Sequence, residues 1–290
     1  MKKLLVVLLL LITSAVIYSQ APETSYESGS EAGEKVVKSN EKPRSILYGF
    51  WDYVSPDIFP HVNTVKIDID DVRDVPDGVQ IIPYIGNFKP DGNWEKRMRN
   101  KLSRLKDVDP KRIPFIILLD EPISKGWKRP EMEAIIDFAK ETDDRFSYTF
   151  SFTRTHTERR RNSEYPRNLD VAIINYYPFY REEITGRTYA NIQTEEQFYE
   201  DFQSVIEAGR RKAPDIKWVI TGQAFYNDKW RQPPDEAPIW YVDFISENED
   251  IIGLTWFTWE WRGSIEEGSA KEMPAFLENV EKGFKRIPGQ

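Results

Sequence analysis

Residues 113–119 read Ile-Pro-Phe-Ile-Ile-Leu-Leu and stop on Asp120-Glu121-Pro122. A wholly apolar run has no polar face to turn to water, so as a strand it must be covered on both sides. Such strands belong to parallel sheets, either open and doubly wound or closed into a barrel inside a ring of helices. The stop on two adjacent carboxylates places acids where an α/β barrel has its mouth.

Seven further runs rich in β-branched or aromatic residues accompany it, giving segments 45–51, 63–68, 79–84, 113–119, 146–152, 171–175, 218–221 and 251–256. Between and after the later ones lie amphipathic helical stretches at 94–106, 130–141, 195–212, 237–247 and 271–286, with Pro130 and Thr194 placed as helix starters. Eight strands alternating with helices predict a (β/α)8 TIM barrel. About ten residues separate the first segment from the second, and the second from the third, so helices are expected to be reduced in the first two units. An open doubly wound sheet is the rival, but no Gly-x-Gly-x-x-Gly or phosphate loop supports it.

The chain begins Met1-Lys2-Lys3, runs through aliphatic residues 4–12, and continues into small and polar residues up to Ala21. That pattern reads as a secretory signal peptide over 1–21, too short to persist as a membrane span, so the expected location is secreted or periplasmic. Residues 22–44, rich in Ser, Glu, Lys and Gly, cannot bury enough apolar surface to order themselves and read as a linker. Residues 45–290 then form a single barrel domain, expected to be a monomer.

A formal net charge of −8 disfavours a nucleic-acid groove, and Arg159-Arg160-Arg161 reads as a solvated helix face. With no cysteine in 290 residues, disulfides, thiolate catalysis and zinc–thiolate sites are excluded. His61 and His156 are the two histidines, too few for a histidine-based metal centre, and no cofactor is implied.

In a barrel, the residues after each strand converge on one face. They include Trp51 after the first segment, Asp68 and Asp70 after the second, Tyr84 after the third and Asp120-Glu121 after the fourth. Arg154 follows the fifth, Asn175, Tyr176 and Tyr177 the sixth, Gln223 the seventh, and Trp256, Trp259, Glu260 and Trp261 the eighth. Aromatic faces and carboxylates together suit sugars, whose C–H faces stack on rings while their hydroxyls seek polar groups. Trp256 and Trp259 could equally be buried plugs. Trp51 and Trp261 are the better platforms. Glycoside cleavage needs a protonated carboxyl and a second group that stabilises the oxocarbenium-like centre. Adjacent side chains on a strict strand face opposite ways, so both acids can face the mouth only if the rule relaxes at the strand's end. Pro122 is expected to hold Glu121 extended across the mouth.

In layout, residues 45–290 resemble the barrel glycoside hydrolases, and the strand-four Asp120-Glu121-Pro122 resembles N-acetylhexosaminidases of glycoside hydrolase families 20 and 123. The resemblance implies that Glu121 is the general acid/base and that Asp120 orients and polarises the substrate's own 2-acetamido group. It also implies a tyrosine beside that group, Tyr176 or Tyr177, and a tryptophan-lined pocket for an oligo- or polysaccharide. The common retaining hydrolases carry Asn before the strand-four acid and a nucleophilic Glu on strand seven, where this chain has Asp120 and Gly222-Gln223-Ala224-Phe225. Glu260 could supply a second carboxyl in a two-carboxylate enzyme with Glu121. Two other classes stay open. One is a non-catalytic carbohydrate-binding barrel, with Asp120 in a structural ion pair with Arg154 or Lys66. The other is a metal-dependent phosphodiesterase built on Asp68, Asp70 and Asp120.

Overall fold

The computed structural model describes residues 45–51, 56–88, 93–158, 165–181, 192–260 and 268–287. Chain contacts separate Met1–Lys42 from Pro43–Gln290, and the barrel lies in the second unit. The expected leader (1–21), the linker (22–44) and the 159–161 arginine run lie outside the described residues.

Eight parallel strands close into a barrel in the order β1-β2-β3-β4-β5-β6-β7-β9. They are β1 (Leu47–Trp51), β2 (Thr64–Asp68), β3 (Gln80–Tyr84), β4 (Ile116–Asp120), β5 (Tyr148–Thr153), β6 (Val171–Tyr176), β7 (Lys217–Gln223) and β9 (Ile251–Phe257). Each overlaps one of the eight segments read from the sequence. β9 pairs in parallel with both β7 and β1, which closes the ring. A short antiparallel pair, β8 (Phe225–Tyr226) with β10 (Gly268–Ser269), links the chain following β7 to the chain following β9.

Among the described residues the α-helices are α1 (Trp94–Leu102), α2 (Arg129–Thr142), α3 (Arg154–Glu158), α4 (Glu195–Lys212), α5 (Ala237–Ser246) and α6 (Pro274–Arg286). Local chemistry sets their starts. Thr194 accepts from the Gln197 backbone N–H while the Gln197 side chain accepts from the Thr194 backbone N–H, a reciprocal cap that fixes the first turn of α4. Glu131 accepts from the Lys128 N–H at 2.7 Å ahead of Pro130. On either side of β2, between β1 and β3, the described residues hold no α-helix but only the 3-10 turns Phe59–His61 and Ile69–Asp74, the thin wall that the short spacings predict. The sequence reading misses α3 and the β8–β10 pair, both too short to show a period.

Two apolar layers follow from period-two alternation. Leu47, Trp51, Ile82, Phe115, Ile117, Val171, Ile173 and Val219 fill the barrel interior. The alternate residues, such as Val65, Ile67, Phe150, Phe152, Ile174, Trp218 and Ile220, pack outward against the helices. No helix among the described residues is long and apolar enough to cross a membrane.

Candidate active site

On β4 the alternation breaks where the chemistry begins. Ile117 faces the interior, but Leu118 and Leu119 both join the outer layer, and the register against β5 shifts between Ile117 and Leu119. This bulge inserts one residue and turns Asp120 inward, where unbroken alternation would have pointed it at the helices. Asp120 Oδ1 accepts from Ser151 Oγ at 2.7 Å.

The next residue does not continue the strand. Glu121 has φ +48°, in the left-handed region that side chains other than glycine rarely occupy. The expectation of an extended Glu121 is therefore overturned. Pro122 biases its predecessor toward extended backbone, and the local turn overrides that bias. The Glu121 N–H donates to Ser151 O at 2.8 Å, anchoring the turn. The bulge and the left-handed turn together bring two sequence-adjacent carboxyls into one polar network.

Asn175 Nδ2 donates to Glu121 Oε1 at 3.3 Å, and Ser151 Oγ lies 3.5 Å from Asn175 Oδ1. Glu121 is half-buried, and its carboxyl is held above the usual range. Desolvation is the main cause and the negative charge of Asp120 the next; the Asn175 hydrogen bond and the lysines Lys125 and Lys229 pull the other way. Asp120 contacts a cation, Lys125, at 3.5 Å through Oδ2.

Beside this polar group stands an aromatic wall. Tyr177, one residue past β6, continues the inward parity of Asn175 and lies against Phe225, Trp230 and Phe257, with ring centroids 5.2, 6.4 and 6.0 Å away. Trp51 meets Phe257 edge-on at 5.6 Å. The buried Lys66 ammonium sits 2.6 Å from the centroid of the Trp51 ring and 4.7 Å from that of Tyr84. Trp230 and Lys229, on the segment after β8, were not singled out from the sequence, and neither were Ser151 and Lys125.

The structure gathers Asp120, Glu121, Asn175, Tyr177, Trp51 and Tyr84 toward one interior, and several other candidates face elsewhere. Tyr176 points outward, stacks on Phe202 of α4 and donates to Asp201 at 2.5 Å. Burial and Asp201 hold its phenol well above the ordinary range. Arg154 forms a bidentate pair with the same Asp201 and also binds Glu158, so it is not the partner of Asp120. Trp256 is fully buried in the helix layer against Tyr48, Tyr241 and Phe276, and Trp259 packs on Phe50. Gln223 is buried and spends its amide on backbone groups of Phe179, Phe225 and Arg231.

Asp68 and Asp70 are held by Lys101, with Arg104 also on Asp70. No cluster of three His, Cys, Asp or Glu able to hold a metal occurs among the described residues, and Asp68 and Asp70 are engaged by Lys101 and Arg104 rather than grouped with Asp120. Glu260 follows β9 at the same end of the barrel as Asp120 and pairs with Lys271 at 3.0 Å. Trp261 lies outside the described residues.

No family model and no curated protein sequence matches this chain. Solved structures do. An endo-β-1,3-glucanase of Amycolatopsis mediterranei, from glycoside hydrolase family 128 and solved with laminaripentaose, aligns with TM-score 0.57 over 84% of this chain and 100% of its own, at 8% identity. What it shares with this chain is the closed (β/α)8 barrel fold. A β-glucuronidase of Ruminococcus gnavus, in complex with D-glucuronic acid, aligns with TM-score 0.57 over 82% of this chain at 13% identity. The chain spans 49% of that enzyme's length. A β-1,3-glucanosyltransferase of Rhizomucor miehei, with laminaritriose, aligns with TM-score 0.53 over 77% of this chain and 91% of its own, at 13% identity. At these identities the likeness is one of fold. The narrower resemblance to families 20 and 123 finds no counterpart among these neighbours.

Proposed function

We propose that the protein is a glycoside hydrolase in which Glu121 is the proton donor. The observation that carries this reading is the state of Glu121: a half-buried carboxyl beside a second carboxylate, held in a left-handed conformation, its acidity weakened by burial. A carboxyl that holds its proton above the usual carboxylate range can help a glycosidic oxygen depart. Strained backbone and perturbed acidity at one residue are features that concentrate at functional sites. The partly exposed rings of Tyr177 and Phe257 beside it suit the apolar faces of a sugar ring, whereas Trp51 is buried under the Lys66 ammonium and backs that wall from within the barrel.

For the second group we favour Asp120 over Glu260. Asp120 shares the Ser151–Asn175 network with Glu121, whereas Glu260 is engaged by Lys271. An anion next to the acid, positioned by a hydroxyl, can polarise a 2-acetamido group acting as internal nucleophile, so the substrate class proposed is a glycan of 2-acetamido sugars. Export through residues 1–21, a linker over 22–44 and a monomeric barrel complete the proposal.

A panel of chromogenic aryl glycosides, comprising the 2-acetamido-2-deoxy-glucoside, the glucoside and the glucuronide, tests it together with Glu121→Gln. Release of aryl alcohol from the acetamido sugar, lost in Glu121→Gln, is the expected result. Turnover of the glucoside alone, with Glu260→Gln as damaging as Glu121→Gln, would replace the acetamido mechanism by a two-carboxylate one. Sugar binding without any turnover would make the protein a carbohydrate-binding barrel.

A further inference from the structure

A cation sits on the carboxyl pair from an unexpected direction. After Glu121 the chain folds into a tight turn: Lys125 N and Trp127 N both donate to Pro122 O at 3.0 Å, and Gly126 N donates to Ile123 O at 3.1 Å. Gly126 closes the turn at φ +88°. The turn carries Lys125 back over the strand end, where its Nζ donates to Asn87 Oδ1 at 2.7 Å, binds the backbone carbonyl of Asp120, and lies 3.5 Å from Asp120 Oδ2. An ammonium has three donors, and here three acceptors surround it. Trp127 Nε1 donates to Phe88 O at 3.3 Å, so the same turn is tied twice to the segment after β3.

We propose that Lys125 is a positioning residue for the acid pair: clamped by Asn87, it fixes the Asp120 carboxylate against Ser151 and offsets part of the field that Asp120 exerts on Glu121. This inference rests on the reading of Glu121 as proton donor. A carboxylate beside an acid is useful only within limits: too little negative field leaves the acid ionised, and too much leaves it unwilling to release its proton. The charged groups acting on Glu121 are Asp120, Lys125 and, from the segment after β8, Lys229, with the neutral Asn175 amide on the remaining side. Lys66 lies deeper in the barrel, against Trp51 and Tyr84. Of these cations, Lys125 alone among the described residues also contacts Asp120.

The sign is set by charge alone. Removing the cation leaves Asp120 unopposed, so Glu121 holds its proton to higher pH. Because Lys125 and Asp120 are partly exposed, with side chains 35% and 26% accessible, screening keeps the effect to about half a pH unit to one unit. The test follows the carboxyl carbon of Glu121 by NMR across pH in the full chain, assigned by difference from Glu121→Gln. Lys125→Met should raise its titration midpoint, and Lys125→Arg, which keeps the charge, should return it to within about 0.3 unit of the parent. With the aryl glycoside that the parent cleaves, the basic limb of kcat/KM should move the same way. The loss should fall on kcat, about tenfold, with KM changed less than about threefold.

A midpoint that stays put in folded Lys125→Met, or that moves as far in Lys125→Arg, overturns the proposal. If Lys125→Met does not fold, Lys125→Gln serves in its place. If neither folds, Asn87→Ala, which loosens the ammonium without removing it, must raise the midpoint, and no movement there is equally fatal. The NMR titration needs no substrate, so a shifted midpoint in a protein that cleaves nothing on the panel would sink the hydrolase reading and leave the electrostatic role of Lys125 standing.

Discussion

Asn175 and Tyr176 are neighbours on β6, yet they serve opposite sides of the barrel wall, and the carboxylates they meet are treated differently. Behind the wall, Asp201 takes two hydrogen bonds from Arg154 at 2.5 and 2.6 Å and a third from Tyr176 at 2.5 Å. In front, Glu121 receives one amide hydrogen bond at 3.3 Å, with a like charge beside it. A carboxylate whose oxygens are taken up by a bidentate guanidinium and a phenol acts as a structural tie. One that is half-buried and weakly paired holds its proton more tightly and is ready to exchange it. Burial by itself does not mark a site; incomplete compensation does.

The largest effect expected from breaking this contrast is at the front. Glu121→Gln keeps the shape and the Asn175 contact but cannot donate a useful proton, so kcat should fall by about 10²–10⁴-fold with KM nearly unchanged. Steady-state kinetics on the cleaved aryl glycoside decides it, and a Glu121→Gln protein of undiminished kcat would refute the assignment.

At the back, Arg154→Met leaves Asp201 buried without its main partner. Breaking such a pair costs about 3–5 kcal/mol, and in a domain of this size that lowers the melting temperature by about 10 °C. Tyr176→Phe removes one donor from the same carboxylate and should cost about 1–3 kcal/mol. In both variants the remaining folded protein should keep the kcat of the parent. A tenfold loss of kcat in folded Tyr176→Phe would show that the two sides of the wall are coupled.

A subtler prediction concerns pH. The Glu121 carboxyl is raised by folding, so the folded state binds its proton more tightly than the unfolded chain, whose glutamates titrate near about 4.3. The stabilisation from that proton is fully present below about pH 4 and is lost as pH rises through the folded value. Glu121→Gln should therefore melt higher than the parent at neutral pH, with the gain vanishing in acid. Equal melting curves at both pH values would mean that burial does not penalise the charged form. The smallest effect is reserved for Glu260→Gln: its pair with Lys271 is a surface pair, worth about 0–1 kcal/mol, and kcat should change less than about threefold unless the two-carboxylate reading is right.

Much of this contrast is within reach of the sequence, and some is not. The eight β-branched runs and the longer amphipathic stretches fix the barrel because their periods of 2 and 3.6 survive in the residue order. Extending period two along β6 from Val171 and Ile173 already sends Asn175 and Tyr177 inward and Tyr176 outward. Applied to β5, the same rule finds Ser151, on the inward parity opposite Phe150 and Phe152. Grouping all residues at the strand ends hides this, which is why Arg154, Tyr176 and Trp256 read as mouth residues; Gln223 has the inward parity of Val219, and only the backbone groups that take up its amide remove it from the mouth. The β4 bulge and the Glu121 backbone are different. Neither Leu118-Leu119 nor Glu121-Pro122 carries a composition signal for an inserted residue or a left-handed turn, since both arise from how β4 must register against β5. Lys125 is equally silent, because a lysine after a turn reads as solvated until the turn's path is known.

The left-handed turn at Glu121 also has a bearing on how this protein could be improved or could drift. Holding a side chain other than glycine in that conformation costs about 1–2 kcal/mol, which Glu121→Gly would recover, with Glu121→Asn recovering part of it. A heat-selection library blind to turnover would therefore enrich both substitutions at the position on which turnover is proposed to depend. Robustness and activity pull this one codon in opposite directions, so any thermostabilised lineage of the chain has to be selected with substrate present or it will discard its acid.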